Sequence, residues 1–302
     1  IKPLTVRRTR HDIESVERYA RDVDSFPKVE RPIKKEYELN EHLADLFDKA
    51  IENLTKRLTY ARYQAIAYLD PEISNGLYDN AETISRSLAG ISKNGLVKRL
   101  ESSFEAFRTS LCRFRDANRN MINMFENDRV FIAPDLDINK LYELGLDDAA
   151  IEEKLSKKAE SNPKNCIFKA NNFAPDYINM LHHDQIILDE MCADWSTVTE
   201  DDDSKFTAFE DLINHEVLKK SLNPGQKLVI FSEALDTVNY LARRLNRKDV
   251  LVISADNRKK FYKTICENFD ANYPTKKNDF NIIITTDVLA EGVNLHRSNV
   301  II

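Results

Sequence analysis

Three short runs of branched apolar residues constrain this chain most: Leu228–Phe231, Val250–Ile253 and Ile282–Ile284. Runs without polar alternation read as strands buried on both faces. Amphipathic stretches separate them, one carrying Leu235, Val238, Leu241 and Leu245, the other Phe261, Ile265 and Phe269. Strand–helix–strand–helix–strand order predicts right-handed crossovers and a parallel sheet with helices on both faces. Polar residues end each run: Ser232, Ser254, and then Thr285, Thr286 and Asp287. They fall at the carboxyl edge, where open α/β sheets bind ligands. Gly292 allows close backbone approach, and Asn294 follows it by two positions.

Before Gln226 the period is helical. Asn40 is a capping residue, and Leu43, Leu46, Phe47, Ala50, Ile51, Leu54 and Leu58 form a stripe expected to continue to Leu69. Residues 72–92 are weakly patterned, with Gly76 and Gly90 as expected breaks. One long helix is expected next, burying Leu96, Leu100, Phe104, Phe107, Leu111, Phe114, Met121 and Phe125. Its opposite face carries Lys98, Arg99, Arg108, Arg113, Arg115 and Arg119. That face reads either as solvated charge or as a track for phosphates. Further helices are expected at 147–159, 176–191 and 206–218. The resulting division is a lead-in at 1–40, a helical subdomain at 41–222 and an α/β lobe at 223–302. The lead-in is expected to hold a short helix through Ile13, Val16 and Tyr19 and a strand from Ile33 to Leu39.

Composition narrows the class. Charged residues at 31% and hydrophobic residues at 42% describe a charge-rich globular chain. No apolar run approaches the ~20 residues of a membrane span, and the amino end does not read as a signal peptide. The expected location is cytoplasmic. Cys112, Cys166, Cys192 and Cys266 lack paired spacing, which suggests reduced thiols and no metal site. His182 and His183 are adjacent, so a helix would point them to different faces. A net charge of −6 argues mildly against a wholly basic nucleic-acid binder and leaves room for one basic groove.

The stretch from Ile282 to Leu295 resembles motif V of superfamily-two helicases and Swi/Snf-like translocases, a strand followed by Thr-Asp, then Gly, an apolar residue and Asn-Leu. Lys227 to Ser232, with Asp236, Thr237, Val238 and Leu241, is similar to motif IV. Ser254, Arg258 and Phe269 resemble the pattern lying between them. The segment from Leu4 to Ile13 resembles an Arg-Arg-Thr element that follows the first ATPase lobe in Swi/Snf-like proteins. The phrase from Leu96 to Arg108 looks more weakly like a segment of bacterial Swi/Snf-like helicases with a helical insertion.

The resemblance implies a RecA-like second lobe preceded by a largely all-α insertion. It places Thr286 on a nucleic-acid phosphate; the strand-end hydroxyls of Ser232, Ser254 and Thr285, and Arg108, Arg115 and Arg119 on the basic helix face, are further candidates for the backbone. Gly292 and Asn294 would lie near a nucleotide. The implied cofactors are ATP and Mg²⁺ in an intact parent protein, the implied partners are DNA, or RNA, and a first RecA-like lobe. The sequence contains no Gly-x-x-x-x-Gly-Lys-Ser/Thr cradle and no Asp-Glu-x-His box. Motif VI would follow a strand such as 300–302, where the sequence stops. The chain is therefore expected to be a fragment, inactive alone, that couples ATP hydrolysis to nucleic-acid movement. The alternative is a non-catalytic module that docks nucleic acid or a partner.

Overall fold

The computed structural model describes residues 10–16, 29–77, 80–132 and 166–302. It divides into two units, Ile1–Glu36 and Tyr37–Ile302. The first contains helix α1, Arg10–Ser15. The Arg-Arg-Thr residues before Arg10 lie outside the described residues, as does the helix expected at 147–159. The strand expected from Ile33 to Leu39 is not formed: residues 29–40 carry no regular structure. A strand needs a neighbour to satisfy its backbone. None of the described strands pairs with this segment, and Ile33 remains 81% exposed.

Helix α2, Glu41–Glu52, begins as expected, with Asn40 Oδ1 accepting the Leu43 amide at 2.8 Å. Such a cap contributes about 1 kcal/mol. The helix does not run on to Leu69. It loosens into a π-helical turn at Asn53–Arg57, becomes extended at Leu58, and turns left-handed at Tyr60 (φ 58°) before a 3₁₀ segment, Ala61–Tyr68. The cause is distant in sequence. The buried Asp184 carboxylate accepts the Thr59 amide at 2.8 Å, the Thr59 hydroxyl at 3.0 Å and the Ala61 amide at 2.9 Å. A buried carboxylate needs such partners, so the local helix gives way to it.

Pro71 opens α3, Pro71–Leu77, at the position where a missing N–H costs nothing. Two helices then replace the single one expected: α4, Ala81–Ser102, and α5, Phe104–Glu126. Gly90 lies within α4 and does not break it. Ser103 is fully extended (φ −160°, ψ 153°) and caps α5 by accepting the Ala106 amide at 3.1 Å. The long apolar stripe thus continues across a corner. Strands β1, Val130–Ile132, and β2, Cys166–Phe168, form a small antiparallel pair that the helical pattern did not suggest. Helix α6, Asp176–Ser196, packs along α5. One core gathers Phe104, Phe107, Leu111 and Trp195; a second gathers Phe125, Phe173, Tyr177 and Leu181. The Cys112 thiol donates to Cys192 Sγ between α5 and α6 at 3.6 Å, and the two remain free thiols.

Helix α7, Ser204–Leu212, and a π-helical turn lead to the sheet. Its strands are β3, Leu228–Phe231; β4, Val250–Ile253; β5, Ile282–Thr285; and β6, Val300–Ile301. All pairings are parallel, in the order β4-β5-β3-β6. Helices α8, Leu235–Leu245, and α9, Arg258–Phe269, cover opposite faces. Leu228, Ile230, Ile282 and Ile284 meet Val238 of α8 together with Phe206 and Ile213. Val229, Leu251, Ile253 and Ile283 meet Ile265 and Phe269 of α9. The period-two alternation of strand side chains divides the two sets. No helix among the described residues is long and apolar enough to cross a membrane.

Candidate nucleic-acid interface

Phe231, Thr285 and Ile253 are in register on neighbouring strands. The residues after them, Ser232, Thr286 and Ser254, consequently share the carboxyl edge of the sheet. The Ser232 amide donates to the Thr285 carbonyl at 3.0 Å, extending the ladder by one bond. At Ser254, Asn257 shapes the turn into α9: its Oδ1 accepts the Ser254 amide at 2.9 Å and its Nδ2 donates to the Val252 carbonyl at 3.1 Å. Ser232 and Ser254 are half-buried and reachable. The two threonines differ. Thr285 is fully enclosed and its hydroxyl has no hydrogen-bond partner, and Thr286 is 4% exposed. Thr285 follows the strand's alternation onto the α9 face, where it is covered like Ile283.

The chain beyond Thr286 makes a 3₁₀ turn, Asp287–Leu289, and then runs back along α9. Gly292 is left-handed (φ 75°), and a Cβ there would stand 2.7 Å from Nη2 of Arg258. The same Nη2 donates to the Glu291 carbonyl at 2.6 Å. Gly292 is thus fixed both by its backbone conformation and by the guanidinium beside it. Asn294 is bound at the other end of α9, donating to Asp270 Oδ2 at 3.4 Å. Gly292 and Asn294 therefore contact opposite ends of one helix. Asp270 is held below the usual carboxylate range, first by the Asn272 amide and then by Asn294 and His296.

The α5 arginines are matched by carboxylates. Arg108 pairs with Glu105 and donates to the Val198 carbonyl at 3.2 Å. Arg115 pairs with Asp116 at 2.8 Å, and Arg119 with Asp189 at 2.8 Å. A phosphate at this face would have to compete with those partners.

Sequence reading passed over two features. Lys259 and Lys260 follow Ser254 in the first turn of α9, exposed and without a carboxylate partner among the described residues. Cations there oppose the helix dipole, an arrangement a phosphate would relieve. A clue lay in the Arg-Lys-Lys run with no acidic residue in that turn. The second feature is a polar seam joining the helices to α8. Ser102 Oγ lies 2.8 Å from Thr237 Oγ1 and 3.3 Å from Ser232 Oγ, while Ser103 Oγ is also 2.8 Å from Thr237 Oγ1. Arg113 pairs with Asp236 at 3.1 Å, and the Tyr240 hydroxyl donates to Asp203 at 2.7 Å. The serine pair interrupting the apolar stripe was the available signal.

Among the described residues, no group of three or more His, Cys, Asp or Glu could hold a metal ion. His183 Nε2 lies 3.2 Å from the Arg57 carbonyl. Comparison with known families matches residues 204–302 to the helicase conserved C-terminal domain, a span that begins at α7. No curated protein and no solved structure matches the chain. That match and the parallel sheet with its flanking helices support a helicase-type C-terminal lobe, consistent with a RecA-like fold, preceded by a helical region.

Proposed function

We propose that this chain supplies the second-lobe wall of an ATP-driven nucleic-acid helicase or translocase of the Swi/Snf-like kind, with DNA as its partner. The observation that carries this reading is the convergence of the half-buried Ser232 and Ser254 on one sheet edge, beside the buried Thr286, within the span matched to the helicase C-terminal domain. Hydroxyls, backbone amides and the neighbouring Lys259 and Lys260 can hold a sugar-phosphate backbone without reading bases. In this reading residues 1–40 follow a first lobe, and the helical body is an insertion riding on the second.

The residues present do not fit magnesium–ATP by themselves. Gly292 is occupied from one side by Arg258, and the sequence holds neither a phosphate-cradling loop nor a magnesium-binding acidic box. Hydrolysis requires positioned cations around the transferred phosphoryl group, which in this reading come from a facing lobe. The role of this chain is to grip the strand and to move with the cleft. The alternative reading is a docking module for nucleic acid or a partner that works without nucleotide.

Two measurements on the purified chain separate these readings. Fluorescence anisotropy with DNA and RNA strands should show binding that weakens steeply with salt, and no binding at low salt would remove the helicase reading. Joining the chain to a first lobe and an arginine motif should give nucleic-acid-stimulated ATPase. Binding without any such stimulation would favour the docking module.

A further inference from the structure

Ser102 ends α4 beside the strand end at Ser232, with the two hydroxyls 3.3 Å apart. Lys98 lies one helical turn earlier, so the two residues share a face. Its ammonium pairs with Glu233, the residue after Ser232, at 3.0 Å. Both members of that pair are largely exposed, at 61% and 72%. These four residues border a cleft of about 400 Å³ between the helices and the sheet edge.

We propose that Lys98, Ser102 and Ser232 form a composite site for a nucleic-acid backbone phosphate, built jointly by the helical region and the lobe, with Glu233 as a carboxylate that the phosphate displaces. The inference rests on the nucleic-acid reading above and adds a contribution from the helices. The site provides one compact cation and two hydroxyl donors, the groups that position a phosphodiester. An exposed ion pair is weak and readily exchanged, so Glu233 can leave Lys98 to an incoming phosphate.

The surrounding charges are consistent with this gating. Lys205, which also lines the cleft, is committed to the Ser102 carbonyl at 2.8 Å and the Glu101 carbonyl at 2.5 Å, neutralising the negative end of α4. Asp203 is engaged by the Tyr240 hydroxyl at 2.7 Å and the Phe206 amide at 2.9 Å. Glu101 is exposed and also lines the cleft, next to Ser102. Of the carboxylates lining the cleft, Glu233 is the one paired with Lys98, so its removal frees that ammonium for a phosphate.

The test is a double-mutant cycle on the full chain, read by anisotropy of a labelled single strand of about 16 nucleotides. Lys98→Gln should weaken binding several-fold and lower the salt slope by about one, with Lys98→Arg restoring both. Ser102→Ala should weaken binding more modestly. Glu233→Gln should tighten binding several-fold in the parent chain and have little effect in the Lys98→Gln background. Equal tightening in both backgrounds would mark a general charge effect and overturn the composite site. Unchanged affinity in Lys98→Gln would do the same, even if reversing Lys259 and Lys260 abolishes binding and so upholds the nucleic-acid reading. Failure of the parent chain to bind any strand at low salt would overturn both. Displacement of the strand by ATP in a Lys98-dependent manner would assign the site to free nucleotide instead, against the proposal.

Discussion

The two ends of the same parallel sheet are built differently. At the amino end nearly every charge is answered. Lys227 is 2% exposed, donates to the Phe280 carbonyl at 2.6 Å and lies over the Phe269 ring. Arg247 and Asp249 form a two-pronged pair with both contacts at 2.9 Å, and Asn281 adds a third bond to Asp249. Arg297 ties the Glu267 and Lys277 carbonyls together. At the carboxyl end, Ser232 and Ser254 are accessible, and Lys259 and Lys260 lack a carboxylate among the described residues. A closed network holds a lobe together, whereas open donors are available to a ligand. The contrast supports the proposed interface at one edge more than the count of basic residues does. The α5 arginines are numerous and yet already paired.

The largest expected effect concerns the closed end. Burial pushes the Lys227 ammonium down to about 8, with Arg297 adding to it. Its folded value lies below its unfolded one, so between these values the unfolded chain binds more protons and stability rises with pH. From pH 8 to 10 the gain should be on the order of 2 kcal/mol. Lys227→Met should flatten that rise in urea titrations. An unchanged pH slope would show that Lys227 is solvated, contrary to the closed network.

At the open end, reversing Lys259 and Lys260 to Glu should weaken strand binding by about tenfold or more and reduce the salt slope by about two. Thermal stability should hold or improve, because acidic residues suit the first turn of a helix. Unaltered affinity would make the two edges equivalent. Gly292→Ala should cost about 1 kcal/mol through its left-handed backbone, measured as a lower urea midpoint. No loss would mean that the loop beside Arg258 is free to readjust.

How much of this was legible in the sequence depends on how far apart the cooperating residues lie. The strands at 228–231, 250–253 and 282–285 were readable because local apolar runs define them. The cap at Asn40 was readable for the same reason. The break after Leu58 was not, since Asp184 causes it from 125 residues away. The corner at Ser103 was hidden because the apolar stripe continues on both sides, and Gly90 suggested a break where open space tolerates it. At the candidate site, the motif residues indicated the edge itself. The seam with Ser102 and the pairing of the arginines required tertiary neighbours.

Smaller effects sharpen the same contrast. Thr285→Val removes an enclosed hydroxyl with no partner. Stability should be unchanged or rise by up to about 1 kcal/mol, with strand affinity unaltered; a loss of affinity would give Thr285 a role its burial argues against. Arg115→Gln together with Arg119→Gln should change affinity less than about twofold, because the two arginines are held in a network by two carboxylates, Asp116 and Asp189, and not by a single exposed partner. A tenfold loss would show that phosphate displaces those partners and that the α5 face belongs to the interface.

Hydrogen exchange of the chain with and without a bound DNA strand tests the central claim most directly, since it reports both ends of the sheet and the α5 face in one experiment. The account predicts new protection in peptides covering Ser232–Glu233, Ser254–Lys260 and Thr286–Gly292, with little change around Arg247–Asp249 or across Arg108–Arg119. Protection confined to α5, or spread over the amino end of the sheet while the carboxyl edge stays unchanged, would contradict it.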